Sequence, residues 1–423
     1  MKKAKITISI LLAVVMTATM AVTFSACEKN NSASSNLKGT TIRFLSWYDP
    51  SERDGEQEAI NKYEEESGVT VKIEIVSFEE YYQKLSAMIA TGDAPDVCRL
   101  KNQGTNYLKL LQPLSTSEYD FSDEKWDKAT MELYSVNGVQ YAAAITDTPF
   151  FLPAVCYYNK TILSENGIDN PYTLWKEGKW NWNSFRQICK DFTALSDENI
   201  GSSFCPLETV ALTRNADIVA FDGNKYTNNI NNSVYLDSWR FTCDMIKDGL
   251  MSRDINKSNE FVKGQVGLFI YDATEMQKNT TVLRRLKAKN ELGVVPVPSF
   301  EGEDSYTPMQ ELVAFGIPNG AKNPTAVPSF LEAYLDFSNY DKNSFFYDDQ
   351  AREVYDALTA IDKRCVAVSE GILSEDIGAT SGNVNYTLVR TDSVQLNTAV
   401  QEYSNIIDVA VRNANESLSK LEK

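Results

Sequence analysis

No histidine occurs anywhere in the chain, and that one absence removes most nucleophile and metal chemistry. Ser-His-Asp and Cys-His activation and His-ligated zinc all need an imidazole. Cys98, Cys156, Cys189, Cys205, Cys243 and Cys365 are widely spaced and form no C-x-x-C pair, so neither a zinc ribbon nor a disulfide framework is encoded. Carboxylate chemistry stays open, because 58 Asp and Glu could supply the flanking pair of a glycoside hydrolase. No spacing singles out such a pair, and no phosphate loop or dinucleotide fingerprint is present. The acidic balance permits calcium, but no D-x-[DN]-x-[DN]-G loop supports it, so no metal and no cofactor is assigned.

Binding chemistry is better represented. Trp47-Tyr48-Asp49, Trp180-Asn181-Trp182 and Tyr271-Asp272 place aromatic rings beside polar groups at expected strand ends or in loops. A sugar has an apolar face of C–H groups and a rim of hydroxyls that both donate and accept. Flat rings suit the face, and carboxylates and amides suit the rim. An amino-acid ligand would instead call for paired Arg and Asp. Aromatic residues make up 11% of the chain, so most of these rings are expected in cores.

The elements that must position these groups read as an α/β alternation. "TIRFLSW" is a short apolar strand that ends at Trp47. "EQEAINKYEEES" is a helix stopped by Gly68, and "VTVKIEIVSF" alternates as a strand. Ser77 to Glu80 has the capping-box pattern before a helix with Tyr82, Leu85 and Ile89 on one side. Gly92 and Pro95 end that helix, and a strand begins at Asp96-Val97. This β-α-β-α-β order predicts a wound sheet. Farther on, Phe185, Ile188, Cys189 and Phe192 predict a helix behind the N-cap Asn183. Leu236, Trp239, Cys243 and Ile246 predict another, as do Val327, Phe330, Leu331, Tyr334 and Leu335. A last helix is expected over about residues 393–418.

The amino end sets the compartment. Lys2, Lys3 and Lys5 precede an apolar run from Ile6 to Val22 and then small residues, which is the organisation of an export signal. Phe24-Ser25-Ala26-Cys27 resembles the lipobox of bacterial lipoproteins, with Phe24 in place of the usual leucine. That resemblance implies cleavage after residue 26, lipidation of Cys27 and a solvated tether over 27–39. Removing residues 1–26 takes three lysines and moves the net charge from −17 to −20. Such a surface argues against nucleic acid and anionic lipid headgroups as ligands. The remaining 397 residues are enough for two lobes. Scattered thiols in an exported chain imply an anaerobic source.

A helix, then "TGDAPDV", then a strand resembles the first lobe of extracellular solute-binding proteins of ABC importers, in the carbohydrate-binding group. "NGVQYAAAITDTPFFLPAVCYYNKTILSENGI" resembles that family's crossing into a second lobe, with Tyr157-Tyr158-Asn159-Lys160 its most specific piece. "YTLWKEGKWNWNSF", "FVKGQVGLFIYD", "LGVVPVPSFEG" (the return crossing) and "AFGIPNGAKNPTAVPSFLEAYLDF" come next in the family's order, over roughly residues 40–340. The resemblance implies a two-lobed periplasmic-binding-protein-like α/β fold, each lobe a wound mixed sheet flanked by helices and joined by hinge strands. It places residues 40–150 and 300–340 in the first lobe and 151–299 and 341–423 in the second. It also implies a monomer without catalysis, anchored on the extracytoplasmic face of the cell membrane of a single-membrane bacterium. Its partners would be a sugar or oligosaccharide and the permease subunits of an ABC transporter. Trp47, Tyr48, Asp49, Trp180, Trp182, Tyr271 and Asp272 are the expected ligand contacts, with Asp147 and Glu311 beside the crossings. The alternatives are a secreted carbohydrate-active enzyme, a receptor serving a membrane sensor, and the same fold with a polyamine, phosphate ester or peptide as ligand.

Overall fold

The computed structural model describes residues 37–420 apart from 53–54, 101–106, 146–151, 255–256, 279, 287–290, 304, 337–344, 361–363, 368–373 and 389–395. The signal segment and Cys27 lie outside the described residues. Packing against the first lobe already includes residues the sequence assigns to the tether. Leu37 is buried, and Gly39 N–H donates to the Gly68 carbonyl (2.9 Å), so residues 37–39 are part of the first lobe and not tether.

The chain first lays down β1 (Thr41–Ser46), β2 (Thr70–Ile75), β3 (Val97–Leu100) and the two-residue β4 (Leu111–Gln112). A hairpin of β5 (Ser135–Val136) and β6 (Val139–Gln140) precedes β7 (Ala142–Ala143). It continues through β8 (Leu152–Asn159), β9 (Ile200–Ser202), the hairpin β10 (Val219–Phe221) and β11 (Tyr226–Asn228), β12 (Val266–Asp272), β13 (Leu292–Pro296) and β14 (Thr307–Glu311). Finally β15 (Ala314–Pro318) returns to the first sheet and β16 (Arg364–Cys365) joins the second.

The first sheet runs β2-β1-β3-β15-β4, with β7 also beside β15. β1 is parallel to β2 and β3, whereas β15 is antiparallel to β3, β4 and β7. The second runs β16-β14-β8-β12-β9, with β13 also on β8. There β8 is antiparallel to β12, β13 and β14. Both sheets are therefore mixed, and each carries helices.

Short-range chemistry explains the elements. Gly68 closes the helix Glu56–Ser67 with φ 69° and donates to the Glu64 carbonyl. Asp96, the second acid of "GDAPDV", is 2% exposed, and its carboxylate accepts from Arg43 N–H, Lys322 N–H and Asn323 N–H at 2.7–2.9 Å. It thus ties β1, β3 and the loop after β15 together. Tyr157 and Tyr158 are fully buried on β8, Asn159 caps the helix Lys160–Glu165, and Lys160 pairs with Asp348. The most specific motifs in the sequence thus serve the fold.

Three expectations shift. The helix Trp182–Thr193 is capped by Asn181, not Asn183. Asn181 accepts from Ser184 N–H while Ser184 Oγ accepts from Asn181 N–H, a complete capping box. The helix Tyr81–Ala90 buries Tyr81, Leu85 and Met88, because its start at Tyr81 sends that hydroxyl under the sheet to the Leu45 carbonyl. The return to the first sheet is not at residue 300. β13 and β14 both pair with β8, so the chain crosses back through Leu312 and Val313.

Candidate functional site between the sheet ends

Strand pairing locates the facing ends of the two sheets. In the first sheet, Leu100 at the end of β3 pairs with Ala314 at the start of β15, and Ala143 at the end of β7 pairs with Phe315. In the second, Leu152 at the start of β8 pairs with Glu311 at the end of β14, Ala154 with Asp272 at the end of β12, and Val155 with Pro296 at the end of β13. The chain runs from β7 into β8 and from β14 into β15, so both connections join the carboxyl ends of the two sheets. The segment leaving β1 therefore stands at the end of the first sheet that faces the ends of β12, β13 and β14 in the second. In the first sheet, the order β2-β1-β3 reverses direction between β1 and β3, the switch point at which wound sheets bind ligands.

Trp47, Tyr48 and Asp49 come directly after β1 at this point. Trp47 is partly exposed, its ring edge-on to Phe78 (5.7 Å) and Tyr81 (5.2 Å). The Tyr48 hydroxyl donates to Glu56 (2.9 and 3.0 Å) and accepts from Arg99 Nη1 (2.5 Å). Tyr334 Oη also donates to Glu56, whose side chain is sealed off at 1% exposure. Asp49 accepts from Ser51 N–H (2.9 Å), and that bond holds its carboxyl below the ordinary Asp range. Asp49 thus shapes the turn after Trp47 and remains at the surface.

On the opposite side, Tyr271 and Asp272 close β12. Tyr271 is 41% exposed and lies flat on Phe269 (5.3 Å, 15°), which stacks on Phe261 (5.3 Å, 23°). Its ring is stiffened from behind and open in front. Asp272 is mainly a cap. Its carboxylate accepts from Thr274 N–H (2.8 Å) and its carbonyl accepts from Tyr157 Oη (2.8 Å). Burial raises its pKa, and the bond from Thr274 opposes that shift.

Trp180 and Trp182 are brought to the same end but turned inward. Trp180 is 5% exposed and donates Nε1–H to the Pro296 carbonyl (2.8 Å). Trp182 is 2% exposed among Phe185, Phe241 and Phe300. Both rings are buried in packing on either side of the capping residue Asn181. Asp147 lies outside the described residues. The Glu311 backbone pairs with Leu152 at the cleft end, and its side chain is not described. Sequence reasoning missed Arg99 and Glu56. Arg99 lies inside an apolar strand, and Glu56 is one of several acids on a surface helix. Only the expected β1-α-β-α-β3 register, which puts both beside Trp47, could have pointed to them.

The model for bacterial extracellular solute-binding proteins matches residues 49–337, more than half of the chain. The chain belongs to this family. Solved structures agree in fold. The cyclic alpha-maltosyl-1,6-maltose binding protein of Arthrobacter globiformis superposes with a TM-score of 0.69 at 13% identity, covering 88% of this chain and 99% of that one. The sugar-binding protein MalE of Xanthomonas citri gives 0.67 at 15%, with 90% and 99% covered. The galacto-N-biose-/lacto-N-biose I-binding protein of a Bifidobacterium longum ABC transporter gives 0.65 at 15%, with 89% and 98% covered. No curated sequence matches this chain. The expected two-lobed architecture is therefore the one observed. Among the described residues no helix is long and apolar enough to cross a membrane.

Proposed function

We propose that this solute-binding protein captures a sugar or oligosaccharide in the interlobe cleft and delivers it to the permease subunits of an ABC transporter, acting as a monomer tethered through a lipid on Cys27. The observation that carries the reading is a pair of partly exposed, braced aromatic platforms at the facing sheet ends, Trp47-Tyr48 on one side and Tyr271 on the other. Rings held from behind offer stacking area at little cost in side-chain ordering. The relatives in fold, whose own names speak of sugars, support the same class. We assign no catalysis. The chain lacks histidine, the buried Glu56 beside the first platform accepts from two tyrosine hydroxyls, and Asp272 beside the second accepts from Thr274 N–H as a cap.

Calorimetric titration of the chain from Glu28 onward against maltose, maltotetraose, lacto-N-biose and simple monosaccharides tests this reading, with the sugars analysed afterwards. Binding at micromolar or lower concentration with the sugar recovered intact is the expected result. Cleaved sugar would move the case to a carboxylate enzyme. Silence toward every sugar, with a response to a peptide, polyamine or phosphate ester, would keep the fold and discard carbohydrate.

A further inference from the structure

We propose that Arg99 is the positioning residue of the first-lobe half of the cleft, fixing the Trp47-Tyr48 shelf from below. The proposal rests on the receptor reading and adds to it a residue that no sequence motif singles out.

Arg99 is the third residue of β3 and pairs with Phe315 on β15, beside the carboxyl end of β1. Its side chain is 3% exposed, a rare placement for arginine. The guanidinium carbon lies 5.2 Å from the Trp47 ring centroid, 5.1 Å from Tyr48 and 5.8 Å from Phe315. A planar cation so surrounded interacts with all three rings at once, which a lysine ammonium does with less area and no stacking. Nη1 also donates to Tyr48 Oη, so that oxygen must turn its own proton to Glu56.

The line Arg99–Tyr48–Glu56 therefore leaves Tyr48 a single orientation. Glu56 stands in the first turn of the helix Glu56–Ser67, where the helix dipole favours a carboxylate. An apolar side chain would fill this volume with less desolvation, since burying a charged group seldom adds stability. What the hydrogen-bonded line adds here is geometric definition of Tyr48 and, through the guanidinium, of Trp47. Trp47 is thus gripped on its edges by Phe78 and Tyr81 and faced by a cation.

The test uses the full chain with Arg99→Met, Arg99→Lys and Tyr48→Phe. The first readout needs no ligand. Acrylamide quenching of each protein, minus that of the same protein carrying Trp47→Phe, isolates the Trp47 signal. The second readout is calorimetric affinity for maltose, maltotetraose and lacto-N-biose. We expect Arg99→Met to raise the Trp47 quenching constant about twofold and to weaken the sugar that binds about tenfold, with Arg99→Lys restoring little of either. Tyr48→Phe, which keeps the ring and removes the hydroxyl that links Arg99 to Glu56, should reproduce the effect. The double variant should be no worse than Arg99→Met, because both act through one link. Unchanged Trp47 quenching in Arg99→Met and Tyr48→Phe would overturn the proposal, as would a loosened Trp47 with unaltered affinity. If the wild-type chain binds none of the three sugars, the receptor reading falls on that result, and quenching alone decides whether Arg99 holds the shelf.

Discussion

Tyr271 and Trp47 meet water with one part of the ring and protein with the rest, so truncating either should affect binding more than folding. Tyr271→Ala and Trp47→Ala are each expected to weaken sugar binding about tenfold or more in calorimetry, with a smaller loss of stability than truncation of a fully buried ring. Trp182→Ala should do the reverse, costing about 3–5 kcal/mol of stability as a buried ring is lost. The contrast separates rings that the sequence alone could not separate. Both kinds stand beside polar neighbours in the sequence, and what separates them is packing against partners distant in the chain, Pro296 and Phe300 for Trp180 and Trp182. A second residue-scale prediction concerns pH. Burial raises the Glu208 pKa above the ordinary 4.5, while Asn385 Nδ2 donates to it at 2.5 Å. The folded chain therefore keeps the Glu208 proton to higher pH than the unfolded chain does. The stability tied to that proton is full below the ordinary value and is lost as pH rises through the folded value. Hydrogen exchange of the helix Glu375–Leu388 between about pH 4 and pH 8 should show that loss in wild type and a flatter course in Glu208→Gln. The same slope in both proteins would contradict the assignment.

Elements were legible where local chemistry decides them. The β1-α-β2-α-β3 order, Gly68 as a helix stop and the apolar stripes at Phe185 and Trp239 all come from periodicity and caps that act within a few residues. What escaped depended on partners distant in sequence. The register that places β14 on β8, and so moves the crossing to Leu312-Val313, is a pairing across more than 150 residues. The burial of Arg99 depends on Tyr48, Phe315 and, through Glu56, Tyr334. The motifs that carry the family resemblance are themselves structural, as Asp96 and Tyr157-Tyr158 show. They announce the fold and leave the ligand to loops. The cap at Asn181 gives an element-scale prediction. Asn181→Ala should cost about 1 kcal/mol in denaturant unfolding, since it removes the side chain that accepts from Asn183 and Ser184 N–H. Asn183→Ala should cost far less, because the Asn183 side chain donates to Glu301 at the exposed surface.

For the whole molecule, the lobes are joined by more than chain crossings. Asp127, fully buried beside the first sheet, caps the helix Lys128–Glu132 and accepts from Arg364 Nη1 on β16 of the second sheet (2.5 Å). The Asn137 N–H donates to the Gly223 carbonyl (3.0 Å), joining the turns of the two small hairpins. Removing one partner of a buried pair leaves the other charge desolvated. Asp127→Asn should therefore lower stability by about 3–5 kcal/mol, and replacing both partners with apolar residues should cost less than that. Equal and additive costs would show that the pair is not coupled. A sugar held by both lobes should favour the closed arrangement, because it binds that arrangement better. Small-angle scattering during titration with an oligosaccharide that binds is the decisive measurement. Hinge closure predicts a radius of gyration that falls and saturates at one sugar per chain, with the sugar recovered intact. Saturable binding that leaves the radius of gyration unchanged would place the sugar elsewhere and contradict capture between the lobes.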